Sequence, residues 1–253
     1  MNRIFAALLL SATPLAGPAL SFDISAMTET EKAAFGEAVR DYLMQNPEVL
    51  VESINVLEER RAASEASTDR ELVATNREAL FKDGHSWVGG NPEGDLAIVE
   101  FIDYRCGVCR RFNDEVHDLV RADGNIRLVL KEFPILGEES RTSARFAIAV
   151  RQIAGDEAYM KAHEQLMTLR GPATIEAMRT IARRIGVDAD EAVERMQSEP
   201  VTAVLSENAR LGERMAIMGT PTFVIGDDLL RGVPAAGLTR TVEDLRKGMA
   251  DQG

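Results

Sequence analysis

The segment Phe101–Arg111, FIDYRCGVCRR, constrains this chain more than any other, because it carries the only two cysteines, Cys106 and Cys109, in C-x-x-C spacing. The apolar run from Leu96 to Ile102 before it predicts a strand buried on both faces. After it, Cys109, Phe112, Val116, Leu119 and Val120 recur at three- and four-residue spacing, which predicts a helix. Cys106 therefore falls at a helix N-terminus. Unpaired backbone N–H groups and the positive end of the macrodipole there favour a thiolate, the nucleophilic form of cysteine. Arg105, Arg110 and Arg111 are expected to add positive charge that acts in the same direction.

Residues 1–21 have the layout of a secretory leader. Arg3 supplies the charged n-region, Ile4 to Leu10 the apolar core, and Ala19-Leu20-Ser21 a small-x-small cleavage site before Phe22. Pro14, Gly17 and Pro18 interrupt the run short of the roughly 20 apolar residues of a membrane span. No cysteine stands at the processing site to receive a lipid. The expectation is an exported, soluble chain in a bacterial periplasm.

In an oxidising compartment a C-x-x-C pair is catalytic or a structural disulfide. So short a loop constrains the unfolded chain little, which favours the catalytic reading. Zinc is excluded by ligand count: there is no second cysteine pair, and His85, His117 and His163 lack finger spacing. The net charge of −12 argues against nucleic acid as a partner, because neutralising phosphates needs clustered Lys and Arg.

Residues 22–82 read as a helical extension. Thr28 and Glu31 have capping-box spacing, and a first helix is expected to run to Gln45. Asn46-Pro47 then reads as the cap and first residue of a second helix. Leu50, Ile54 and Leu57 share a face beside Val51, and a further apolar patch comes at Leu72, Val73, Leu80 and Phe81. Helices this lean bury too little to stand alone. They lie on the main domain, or copies from several chains pack into a homo-oligomer.

The main domain is expected over 83–253. Ser86–Val88 reads as an edge strand, Gly89–Pro92 as a turn, and Ile126–Phe133 as a second buried strand closed by Pro134. From about 139 to 218 the pattern is helical, with Met160 to Met218 read as helical core. Thr222–Ile225 and Leu229–Arg231 form a hairpin, and a last helix covers Leu238–Met249. The class is α/β: a small mixed sheet with an inserted all-helical domain and an N-terminal helical extension.

Three separated motifs carry a family resemblance: the cysteine strand and helix, the segment KEFPILG at Lys131–Gly137, and Gly219-Thr220-Pro221-Thr222. In this order they resemble the DsbA family of thioredoxin-fold thiol–disulfide oxidoreductases, from about His85 to the C-terminus. The helical extension is similar to that of the ScsC-like and isomerase-like branch. The resemblance implies that Pro221 is a cis-proline facing the cysteines and that Thr220 offers its backbone to a substrate peptide. It implies no cofactor beyond the redox-active Cys106–Cys109 pair. The implied partners are exported cysteine-containing proteins and a membrane redox protein that recycles the pair.

Gly107-Val108 departs from the Pro-His of the best-known members, so a strongly oxidising potential does not carry over. Glu100, six residues before Cys106, stands where the family has a buried acid that exchanges a proton with the inner thiol, Cys109. Lys131 either pairs with Glu100 or is exposed, and the sequence does not separate the two. Asp103 reads as a polar strand end, and His117 and His163 are assigned no role. Two readings from other classes stand beside the oxidoreductase: a helical chaperone with a structural disulfide, and a protein that passes thiophilic metals through its thiols.

Overall fold

The computed structural model describes residues 27–250, and the expected leader lies outside the described residues. The chain divides into two compact units, one ending at Glu59 and the other beginning at Arg60. In the first unit, α1 (Glu29–Gln45) opens with the expected capping box, the Thr28 hydroxyl accepting from the Glu31 amide and the Glu31 carboxylate from the Thr28 amide. Asn46 departs from expectation. Its Nδ2 donates back to Tyr42 O at 2.9 Å, so it closes α1 instead of capping α2 (Glu48–Thr75). Leu50, Ile54 and Leu57 are 49%, 54% and 47% exposed, so their shared face is open among the described residues of this unit.

The second unit holds α3 (Arg77–Phe81) and five strands: β1 (Trp87–Gly90), β2 (Leu96–Ile102), β3 (Ile126–Glu132), β4 (Thr222–Ile225) and β5 (Asp228–Arg231). They form one sheet in the order β1-β3-β2-β4-β5. β2 and β3 are parallel, as the connection through α4 (Gly107–Asp123) requires, and the other pairs are antiparallel. Both central strands are buried on both faces, as their largely apolar sequences predict, and Glu100, Lys131 and Glu132 are buried with them. Side chains alternate across the sheet. Ile98, Glu100, Ile102, Leu128, Leu130 and Glu132 share one face, and Val99, Phe101, Val129 and Lys131 share the other.

The first face is covered by α4, by the helical block and by α9 (Leu238–Ala250). That block, α5 (Glu138–Met167), α6 (Ile175–Ile185), α7 (Ala189–Met196) and α8 (Glu199–Arg214), lies between β3 and β4 in the chain, as expected. Gly155, at φ 82 and ψ −174, breaks α5 into the two helices its sequence pattern predicts.

The second face is closed by Val73, Leu80 and Phe81 together with Phe133, Leu211, Met215 and Ile217. This corrects the expected boundary at residue 82. The apolar patch from Leu72 to Phe81 is core of the sheet domain, and Arg231 is held to Asp69 at 2.6 Å. The expected turn at Gly89–Pro92 also moves, to Asn91–Gly94, because Gly89 and Gly90 continue β1. Gly90 has φ +69, and a Cβ added there would lie 2.3 Å from Ile126 O, so only glycine fits so close to β3.

Candidate active site

β2 delivers the chain through Asp103–Arg105 to Cys106, which is the N-cap of α4. Asp103 is buried, and its carboxylate accepts from the amides of Arg105, Ile135 and Leu136 at 2.8, 2.9 and 3.0 Å. Standing directly after the end of β2, as expected, it also ties the cysteine loop to the KEFPILG loop. Cys106 Sγ accepts from the Cys109 amide at 3.5 Å, at the mouth of the helix. Cys106 keeps 7% exposure against 1% for Cys109, which makes it the outer sulfur. Both are free thiols.

The loop before β4 arrives from the other side. The Thr220–Pro221 bond is cis, and Cys106 Sγ donates to Thr220 O at 3.1 Å. Thr222 Oγ1 donates to Gly219 O at 2.8 Å and closes the loop on itself.

The two thiols are driven apart in acidity. Burial opposes ionisation of Cys106, but the Cys109 and Val108 amides outweigh it, leaving the thiol below its ordinary value. Burial pushes Cys109 well above the usual thiol range, and the neighbouring Glu100 and Cys106 push it further. Glu100 is 4% exposed, and burial raises its carboxyl to about 8. It is thus a buried acid whose charge acts on the inner thiol.

The flanking arginines do different work from that expected. Arg105 Nη1 donates to Gly171 O at 3.1 Å and Nη2 meets Glu139 at 3.2 Å, while Arg110 donates to Met167 O and Leu169 O at 2.7 and 2.8 Å. They pin the 167–171 loop of the helical block to the cysteine helix. Arg111 stacks on Phe112, 5.1 Å from the ring centre.

Lys131 pairs with Asp83 and Ser86, not with Glu100. The register explains why: Glu100 lies opposite Leu130 and Phe101 opposite Lys131, so the two side chains leave the sheet on opposite faces. Lys131 is fully buried. Although burial opposes its charge, contacts from His85, Lys131 and Ser86 hold the Asp83 carboxyl well below its usual range.

A second polar cluster went unread in the sequence. Glu132 Oε1 accepts from Tyr104 and Tyr159 hydroxyls, each at 2.7 Å, and His163 lies between Tyr104 and Asn113. Tyr104, two residues before Cys106, was the available signal. Its partners come from β3, α4 and α5, elements that no local pattern brings together. Among the described residues no group of three or more His, Cys, Asp or Glu is placed to hold a metal.

Residues 97–244 match the family described as the DSBA-like thioredoxin domain, and residues 31–64 match the ScsC N-terminal domain. A thioredoxin-like oxidoreductase from Silicibacter pomeroyi DSS-3 is 43% identical with a TM-score of 0.62, over 68% of this chain and 98% of that one. Proteus mirabilis ScsC in a transitional conformation, 23% identical, shares the fold over 91% of this chain and 100% of that one at a TM-score of 0.62. A periplasmic thioredoxin-like protein from Salmonella enterica serovar Typhimurium is 26% identical with a TM-score of 0.58, over 68% and 94%. Among curated proteins, the Na(+)/H(+) antiporter NhaA 1 of Salinispora arenicola is 25% identical over 139 residues, 54% of this chain and 21% of that protein. The chain thus spans about a fifth of the curated relatives it matches, and none of its described helices is long and apolar enough to cross a membrane. With the matched region reaching from β2 into α9, this chain belongs to the DsbA-like thioredoxin family, and its helical N-terminus matches the ScsC N-terminal domain.

Proposed function

We propose that the chain is a periplasmic thiol–disulfide oxidoreductase, exchanging disulfides with exported cysteine-containing proteins through Cys106 and Cys109. The observation that carries this reading is the outer sulfur at the mouth of α4, 3.1 Å from the backbone of the cis-proline loop.

In the oxidising direction a substrate thiolate attacks Cys106 Sγ of the Cys106–Cys109 disulfide. The S–S bond breaks, a mixed disulfide forms, and Cys109 leaves with the electron pair. Glu100, protonated near neutrality, supplies the proton that Cys109 binds more tightly. A second substrate thiolate attacks the substrate sulfur of the mixed disulfide and expels Cys106. The substrate is oxidised by two electrons and the pair is reduced; a membrane redox partner then reverses the balance. In the isomerising or reducing direction the Cys106 thiolate attacks a substrate disulfide and expels one substrate thiolate; Cys109, passing its proton to the ionised form of Glu100, then attacks Cys106 Sγ and releases the other. Thr220 lends its backbone to the extended substrate peptide.

The periplasmic setting is supported by the leader pattern in 1–21 and by the periplasmic relative in Salmonella. Self-association through the N-terminal helices is supported by the uncovered Leu50, Ile54 and Leu57 face and by the ScsC-type match at 31–64.

Insulin reduction by the mature chain and its Cys106→Ser variant tests the reading. Loss of turnover in the variant is expected, and equal turnover in both would reject it. Equilibration with glutathione then sets direction: a potential near −270 mV, roughly that of thioredoxin, indicates reduction or isomerisation, and one near about −120 mV indicates oxidation.

A further inference from the structure

The acid at the end of β3 is buried in a proton-sharing chain that ends at the cysteine loop. Glu132 is 3% exposed, and its Oε2 is buried with no partner among the described residues. Its Oε1 takes both phenol contacts, from Tyr104 of the cysteine loop and Tyr159 of α5. Tyr104 OH also lies 3.3 Å from His163 Nδ1, and His163 Nε2 lies 2.7 Å from Asn113 Oδ1. Asn113 Nδ2 donates to Asp114 at 3.1 Å, so its Oδ1 faces the histidine. His163 Nε2 must then carry the proton, and Nδ1 is an acceptor.

Counting protons decides which form of Glu132 completes this chain. Tyr104 has one hydrogen and two neighbouring acceptors. If Glu132 is ionised, both phenols donate to Oε1 and His163 Nδ1 receives nothing. With the proton on Oε1, Glu132 donates to Tyr104, Tyr104 donates to His163, and Tyr159 still donates to Glu132. Every polar atom of the chain except Oε2 is then paired, and that oxygen carries no charge. A buried carboxylate with an open oxygen is the costlier alternative.

We propose that Glu132 is a positioning residue for thiol exchange, its protonated carboxyl holding Tyr104 and thereby the Asp103–Cys106 loop in register with the helical block. The inference rests on the reading of Cys106 as the exchanging sulfur. It adds a second buried acid, distinct from Glu100, that never touches the reacting sulfurs.

The surroundings agree. Burial pushes Glu132 up to about 8 and Asp103 pushes the same way, against the two phenols, which lower it. Burial holds His163 neutral, down to about 3. His117 of α4, edge-on to His163, is lowered by burial and stays on the acid side of neutrality. On the α8 side Asn208 donates to the Glu132 backbone carbonyl at 3.0 Å. Arg151, which lines the same small cavity, is spent on Asp156 and His85 O at 2.7 and 2.9 Å. Among the described residues no cation faces the Glu132 carboxyl.

Trp87, the single tryptophan, stacks on Tyr159 with centroids 6.0 Å apart and reports on this chain. In the full-length protein we expect its emission to step near pH 8, the step persisting in Glu100→Gln and vanishing in Glu132→Gln, which mimics the neutral acid. The rate of Cys106 alkylation by iodoacetamide at about pH 6.5 should stay within about twofold in Glu132→Gln and change about threefold or more in Tyr104→Phe. A step retained in Glu132→Gln, or an alkylation rate indifferent to Tyr104→Phe, would overturn the inference. Absence of disulfide turnover in the unmodified chain would overturn the reading beneath it. Disulfide turnover unchanged by Tyr104→Phe would overturn this inference alone.

Discussion

The sulfur of Cys106 lies 3.1 Å from the carbonyl oxygen of Thr220, across 114 residues of chain. As a thiol it donates to that oxygen; as a thiolate it keeps the Cys109 amide and loses the thiol–carbonyl bond. Cys106 keeps 7% exposure and Cys109 1%, so the outer sulfur is the accessible one and the inner one is shielded.

Reactivity should therefore split sharply between the two cysteines. Brief treatment of the reduced protein with iodoacetamide at about pH 7 is expected to label Cys106 and leave Cys109 unmodified, as read by mass spectrometry of peptides. The pH midpoint for Cys106 should fall below the reference thiol value of 9.0. Labelling of Cys109 at a comparable rate would contradict the burial that separates them.

Replacing Cys109 removes the resolving sulfur without touching the attacking one. Cys109→Ser is expected to accumulate mixed disulfides with exported proteins, visible as bands on non-reducing gels that collapse with reductant, and Cys106→Ser is expected to accumulate none.

Glu100 links stability to pH with a definite sign. Its folded value of about 8 stands above the reference 4.5, so between these limits the native state keeps a proton that the unfolded chain has released. Stability falls as pH rises through this window, by up to about 1.4 kcal/mol per pH unit. Glu132 contributes a slope of the same sign over the same window, so Glu100→Gln should remove only the share of Glu100, roughly halving the slope in denaturant titrations, and be the more stable form at about pH 7. It should also slow resolution by Cys109 by about a hundredfold, as loss of a proton-transfer group does.

Lys131 has no exposure and depends on Asp83 for its charge. Asp83→Ala is expected to cost about 3–5 kcal/mol in urea unfolding, because it leaves a buried ammonium without its carboxylate. Adding Lys131→Met should recover most of that loss, and an additive double variant would show that the two groups are not coupled.

A chain starting at Arg60 keeps Val73, Leu80 and Phe81 on the sheet, whereas one starting at Asp83 removes all three. The shorter form should lose roughly 5 kcal/mol, the order expected for three buried apolar side chains. Sedimentation of the mature chain beside the form beginning at Arg60 tests self-association: a larger species is expected only for the mature chain.

Much was legible in the chain because it is local. The central strands, the cysteine helix, the helical block and the hairpin follow from runs, periods and punctuation over a dozen residues, and each of those elements is present where expected. Cys106 at a helix start needs only the strand before it and the helix behind it. The boundary at 82 was misplaced because Leu80 and Phe81 look as amphipathic as Leu50 and Ile54, and periodicity does not say which surface a face will meet.

What the residues alone determined is the chemistry available: one pair of sulfurs, an acid six residues upstream, and a proline loop before a late strand. Folding decided which of these groups share a space. Parallel register sent Lys131 away from Glu100 toward Asp83, and the helical block closed Tyr159 and His163 over Tyr104 and Glu132. Such pairings depend on alternation across a sheet and on contacts between distant segments. They have no period along the chain, yet they set the charge and proton inventory on which the sulfur chemistry runs.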